Sequence, residues 1–210
     1  MICIPIQDKD GASLLKTLVR AQRHAEITEI WFDELRDFTP KLLAQIFSKK
    51  EKPIIYKATN PAKNIKAILD VDVDFVDLDI KSSPEHFATV KKHPKTQLII
   101  SYHNFKETPP SKKLKEIASK AMKLGADIIK IATFADTFTD SLRMLQLLDD
   151  LTQSGKHAIC ICMGEQGRLT RVTGHLLGNY LMYAPLTKEE QTAEGQLTVQ
   201  ELKEMINIVG

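Results

Sequence analysis

The stretch Gln97–Ala132, QLIISYHNFKETPPSKKLKEIASKAMKLGADIIKIA, decides the fold. It opens on a β-branched apolar run, Leu98-Ile99-Ile100, and closes on another, Ile128-Ile129. Between them Leu114, Ile117, Ala118, Ala121 and Met122 recur at helical spacing, and Gly125 stops the helix after Lys123-Leu124. Strand, helix and strand in that order make a crossover unit. The runs are continuous rather than alternating, as in a parallel sheet covered on both faces.

The same shape repeats outward in both directions. The predicted strands are residues 2–6, 29–33, 53–57, 75–80, 97–103, 127–132, 157–163 and 180–185. Apolar stripes separate them: Leu14, Leu15, Leu18 and Val19; Leu42, Leu43, Ile46 and Phe47; Ile65, Ile68 and Leu69; Leu142, Leu145 and Leu148; and last Leu202, Met205 and Ile206. Thr39-Pro40 reads as an N-cap followed by a first-turn proline, and Gly155 as a second helix stop. Eight strand–helix units predict an α/β fold, a compact single-domain (β/α)8 TIM barrel over residues 1–210. About 26 residues per unit suffice for a strand, a helix and two short loops. A doubly wound sheet would want a glycine-rich dinucleotide turn after the first strand, and Gln7-Asp-Lys-Asp-Gly11 has one glycine.

Composition narrows the function classes. Twenty-nine Lys and Arg against 27 Asp and Glu is too even to expect nucleic acid or an anionic membrane as partner. No window approaches the roughly 18 apolar residues of a membrane span, and Met1–Ile6 lacks the form of a signal peptide. Cys3, Cys160 and Cys162 cannot all pair internally, and no second Cys or His pair stands at zinc spacing. They read as buried thiols, which predicts a reducing, cytoplasmic setting and no metal.

In a barrel, chemistry sits at the C-terminal ends of the strands. That rule nominates Glu29 or Asp33, Lys57, Asp79, His103, Lys130, the loop after Met163, and residues 192–196. Lys130 lies inside an apolar strand, where it must be paired or deprotonated. A depressed pKa would suit an amine that attacks a carbonyl to form a Schiff base. His103 ends the neighbouring strand, so the two side chains are expected to converge, with the imidazole serving as base and then acid. Gly164 and Gly167 precede Arg171 in a turn able to present N–H groups and a guanidinium to an anion.

Ile99-Ile-Ser-Tyr-His-Asn-Phe105 with Thr108-Pro109, Gly125-Ala-Asp-Ile-Ile-Lys-Ile-Ala132, Met163-Gly164, Thr170-Arg171 with Gly174, and Gly195-Gln196 together resemble the type I 3-dehydroquinate dehydratases. The resemblance runs in order over nearly the whole chain. It implies a cofactor-free, commonly dimeric lyase of the shikimate pathway that removes water from 3-dehydroquinate. Residue by residue, it makes Lys130 the imine-forming lysine and His103 the general acid–base. Arg171 becomes the carboxylate ligand, Gln196 a hydroxyl ligand, Thr192 a stand-in for a serine, and Glu29 the acidic residue of strand two.

Three positions depart from the family pattern. Its strand-two Glu-x-Arg reads Glu29-Ile30-Trp31 here, its strand-three arginine is Lys57, and its helper glutamate falls on Pro61 or Asn60. Lysine keeps the charge but not the bidentate fork. Two other readings share the lysine or the barrel. A class I aldolase would want a phosphate cradle after strands seven and eight. A degenerate, non-catalytic domain would explain the three departures but not the retention of Lys130 and His103.

Overall fold

The computed structural model describes residues 1–209. Its strands and helices alternate: β1 Ile2–Ile6, α1 Gly11–Ala21, β2 Ile27–Ile30, α2 Pro40–Ser48, β3 Ile54–Lys57, α3 Pro61–Leu69, β4 Phe75–Asp79, α4 Pro84–Lys91, β5 Gln97–Asn104, α5 Ser111–Lys123, β6 Ile128–Phe134, α6 Phe138–Gln153, β7 His157–Met163, α7 Arg168–Thr173, β8 Met182–Tyr183 and α8 Val199–Val209. The eight strands form one sheet in the order β7-β6-β5-β4-β3-β2-β1-β8, and every pairing in it is parallel. A backbone bond of 2.8 Å from Tyr180 N–H to the Ala158 carbonyl spans the β7–β8 seam. This is the predicted (β/α)8 barrel.

The strands sort their side chains by parity. Ile129, Ile131, Cys160 and Cys162 face outward into the layer between sheet and helices, which is the larger core. Ile27, Ile55, Phe75, Ile99, Ile128, Ile159 and Leu181 face inward and fill the barrel. Residues on the inward parity above this apolar floor become the site. The capping signals act as read: the Thr39 hydroxyl accepts from Leu42 N–H, and Gly125 takes φ +87° just past the end of α5. No helix is long and apolar enough to cross a membrane among the described residues.

Three expectations shift. Strand eight covers Met182–Tyr183, not 180–185, because its register against β1 spans only Ile2↔Met182 and Cys3↔Tyr183. Strand two runs over Ile27–Ile30, not 29–33, because its register against β1 ends at Ile6↔Ile30. Phe32 then turns outward to pack on Phe47 and Tyr56. On α6 the buried face is Ser141, Met144, Leu147, Leu148 and Leu151, whereas Leu142 is 58% exposed. A leucine-rich helix offers two apolar stripes, and contact with β7 selects the one containing Met144.

Candidate active site

Inward parity, counted from the apolar floor, carries Glu29, Lys57, Asp77, Ser101 and Lys130 to the level above it and Asp79 and His103 to the mouth. A cavity of about 340 Å³ opens there. Its walls include Glu29, Lys57, His103, Lys130, Arg171, Thr192 and Gln196, together with Trp31 and Tyr183. The structure thus brings together in one cavity the seven residues that fall on the family's site positions. Asp79 also reaches it, with one carboxylate oxygen accepting from Lys81 N–H at 2.8 Å. Asp33 does not. It accepts from Tyr56 Oη, the amides of Thr59 and Asn60, and Asn64 Nδ2, and so shapes the β3–α3 loop.

Lys130 is 4% exposed. Its Nζ donates to Asp77 Oδ2 at 2.8 Å, Glu29 Oε2 at 2.9 Å and Tyr183 Oη at 2.9 Å. An ammonium has three N–H bonds, and these oxygens take all of them. Asp77, with no exposed surface, offers its other oxygen to Lys57 Nζ at 3.0 Å, and Lys57 also donates to Ser101 Oγ. Two carboxylates therefore face two ammonium groups in a closed, charge-balanced quartet. Burial by itself would pull Lys130 down, but Asp77 and Glu29 reverse it and hold the amine above its ordinary value. This corrects the expected depressed lysine: the buried amine is paired, not deprotonated. Burial would likewise raise Asp77, and Lys130 and Lys57 outweigh it, holding the carboxyl below its usual range.

His103 is pushed the other way. Burial, then the charges of Lys57 and Lys130, lower it to about 3, against a smaller opposing pull from Asp77. It is a neutral imidazole at physiological pH, stacked on Phe105 with ring centroids 6.1 Å apart. Arg171, on α7, is 3% exposed, and none of its three guanidinium nitrogens has a hydrogen-bond partner. Burial draws it down to about 10, a pull slightly opposed by Cys162. A buried cation with no partner at the wall of a cavity is a site for an anion.

The glycine turn beside Arg171 has a different task from the one expected. Gly164 N–H donates to the Glu194 carbonyl and Gly167 N–H to the Gly164 carbonyl, so these donors tie the loop rather than greet a ligand. The tie is close: a Cβ on Gly195, which has φ +78°, would stand 2.3 Å from the Gly164 carbonyl oxygen. Beyond it, Gln196 Oε1 accepts from the amides of Thr192 and Ala193, and Gln196 Nε2 donates to Thr192 Oγ1 at 3.1 Å. The loop over the cavity is thereby pre-formed. Among the described residues no group of three or more His, Cys, Asp or Glu side chains is placed to hold a metal ion.

Asp77 and Ser101 were missed by the strand-end rule because they lie within strands, and Tyr183 because it ends a strand that was expected to run on to residue 185. Parity would have found the first: Asp77 and Asp79 share a face of Phe75-Val-Asp-Leu-Asp79, and a buried lysine demands a carboxylate. Tyr183 carries no such signal, since an aromatic on a short strand is ordinarily core.

Residues 2–210 match the type I 3-dehydroquinase family. A 3-dehydroquinate dehydratase of Methanococcus maripaludis strain C7 is 33% identical over the whole of both chains. The crystal structure of the 3-dehydroquinate dehydratase from Aquifex aeolicus superposes with a TM-score of 0.79 at 25% identity, covering 100% of this chain and 98% of that one. That from Geobacillus kaustophilus reaches 0.89 at 21% identity, covering 99% and 90%. This chain belongs to the type I 3-dehydroquinase family.

Proposed function

We propose that the chain is a 3-dehydroquinate dehydratase that works through an imine on Lys130. The observation that carries this is one cavity holding a buried amine, a neutral imidazole and a cation without a partner. The substrate carboxylate pairs with Arg171 and sets which ring C–H faces His103. Thr192 and Gln196 meet ring hydroxyls from the pre-formed loop. Glu29 and Lys57 also border the cavity, but the Glu29 oxygens accept from Lys130, Tyr183 and Trp31 and Lys57 donates to Asp77 and Ser101, and their part is to set the charge around Lys130.

The reaction runs in balanced steps. Lys130 lends a proton to its carboxylate neighbours, and the neutral amine adds to the substrate ketone. Loss of water leaves a protonated imine. Summed from the ammonium, nitrogen gives up two hydrogens to the departing water and keeps one, so its positive charge is conserved. The iminium acidifies the adjacent C–H, and His103 takes that proton to give an enamine. The imidazolium, crowded by Lys57, gives the proton to the leaving hydroxyl, which departs as a second water. Hydrolysis of the conjugated iminium returns the ammonium and releases 3-dehydroshikimate.

Borohydride added during turnover reduces the imine to a stable secondary amine. Intact mass and peptide mapping are expected to show one adduct, on Lys130, absent in Lys130→Ala. A protein that dehydrates 3-dehydroquinate without that adduct refutes the imine route, and one that does neither refutes the assignment. The same reading makes the enzyme a cytoplasmic homodimer of aromatic amino acid biosynthesis. Its three free cysteines are buried, and Phe138 and Leu142 leave an apolar stripe outside α6. Sedimentation velocity with and without Leu142→Glu tests the dimer.

A further inference from the structure

The chain has one tryptophan, Trp31, at the position where β2 has just ended. Its backbone is pinned on the far side by Phe32, which is fully buried, and the indole lies on the cavity wall. Indole Nε1 donates to Glu29 Oε1 at 3.1 Å. The other carboxylate oxygen accepts from Lys130 at 2.9 Å and from Tyr183 Oη at 2.7 Å. Tyr183 is held as a neutral phenol by burial and by the Glu29 charge, so it is a donor to that oxygen.

Imine formation changes the donor count. An ammonium offers three N–H bonds and an iminium one. Two of the three oxygens around Lys130 therefore lose a partner when the covalent intermediate forms. Asp77 still has Lys57. Glu29 has only the indole and the phenol. A buried carboxylate stripped of donors is costly, so a donor that remains after the ammonium is gone stabilises the intermediate more than the resting state.

We propose that Trp31 is a positioning residue of this reaction, its indole N–H keeping Glu29 oriented and satisfied while Lys130 gives up two of its three N–H donors. The inference rests on the imine reading above. It also assigns Trp31, rather than a second cation, to strand two of this site, and leaves Glu29 without a free oxygen for substrate.

Because Trp31 is unique, growth of a tryptophan auxotroph on β-(benzothiophen-3-yl)alanine replaces this residue alone and exchanges the N–H for sulfur at nearly constant shape. Growth on 5-fluorotryptophan changes the ring but keeps the donor. Two quantities are measured: the rate of borohydride-trappable imine formation at saturating 3-dehydroquinate, and the affinity for quinate, which has the ring and carboxylate but no ketone. The sulfur form is expected to make the imine about tenfold more slowly with quinate affinity within about twofold, and the fluoro form to restore the rate. A sulfur form that matches the native rate overturns the proposal. So does a quinate affinity that falls in parallel with the rate, since the ring is then a binding wall. If the native protein forms no adduct at Lys130, the imine reading fails first and takes this inference with it; an adduct made equally fast by both forms removes this inference alone. Should the sulfur form misfold by circular dichroism, Trp31→His, which keeps a ring N–H, is compared with Trp31→Phe on the same two readouts, with the same outcomes.

Discussion

Asp77→Asn strikes the one group on which both buried lysines depend. In the native site its two oxygens face Lys130 Nζ at 2.8 Å and Lys57 Nζ at 3.0 Å. At an effective dielectric of 20, each such pair is worth about 6 kcal/mol before desolvation is subtracted. Removing one partner of a buried pair costs about 3–5 kcal/mol, because the other charge stays behind. The amide can still accept from one lysine, but its NH2 then meets the other ammonium donor to donor. That clash disappears if the second lysine becomes a neutral amine and accepts from the amide. The variant therefore acquires a pH dependence above neutrality that the native quartet lacks. Natively, Lys130 is held above its unfolded value, so its ion pairs stabilise fully below the ordinary lysine range and are lost only well above it. In the variant the displaced lysine sits below its unfolded value, the unfolded chain binds more protons, and stability rises with pH toward about 10. Urea unfolding followed by circular dichroism at pH 7 and pH 9 measures both effects. The expected deficit is about 3–5 kcal/mol at pH 7, narrowing by up to about 2.7 kcal/mol at pH 9. A deficit under about 1 kcal/mol at pH 7, or one that does not narrow, shows that the quartet is not charge-balanced as described.

Perturbations at three further residues test the other parts of the site. His103, lowered to about 3, should show no imidazole titration by NMR above about pH 5. Since the unfolded chain protonates near 6.5, it also contributes a loss of stability as pH falls from there toward 3, which His103→Gln should reduce; a native titration near 6.5 would contradict the geometry. His103→Ala should cut dehydration by roughly 10²- to 10⁴-fold while borohydride still traps the imine. Arg171→Met should raise the melting temperature, because a buried guanidinium without a partner is replaced by an apolar side chain. The same change should lower kcat/KM by about 2–5 kcal/mol of carboxylate binding, and a variant that loses stability as well would mean Arg171 has a partner. Gly195→Ala places a methyl 2.3 Å from the Gly164 carbonyl oxygen at a left-handed φ, so it should displace the Thr192–Gln196 loop and cost activity while unfolding stays cooperative; unchanged kcat/KM would show that the loop does not meet the substrate.

The architecture was legible because its signals are local and repeated. Apolar runs such as Leu98-Ile-Ile100, stripes such as Leu114–Ala121 and stops such as Gly125 each act within a few residues, and eight repeats leave little choice of fold. Boundaries failed where tertiary contact decides. Strand two ended early because β1 offered no further register partner, and Phe32 was drawn into the outer layer. The site was legible where a residue type is out of place in its strand, as Lys130 and His103 are. It was illegible where the residue is unremarkable alone. Asp77 and Tyr183 acquire meaning only from Lys130, on strands 53 residues away in either direction.

Lys130 shows why local reasoning about a buried amine misleads. Taken alone in an apolar strand, the amine should be neutral, and neutrality suits a nucleophile. The structure instead surrounds it with two carboxylates and keeps it charged. The two demands conflict only if imine formation is pictured as consuming a neutral amine. From ammonium to iminium the nitrogen keeps its charge, so carboxylates that stabilise the first can stabilise the second, and the neutral amine need exist only for the moment of attack. Net charge in the quartet is then the same at rest and in the covalent intermediate. What changes is the number of N–H donors and the arrival of a substrate carboxylate, and the site meets these with the fixed donors on Glu29 and with Arg171. A lysine at this position with no carboxylate beside it would be a readier nucleophile in the free enzyme, but its iminium would be a buried charge without a counter-ion. The paired arrangement favours the intermediate over the free amine, which is the state in which His103 must act.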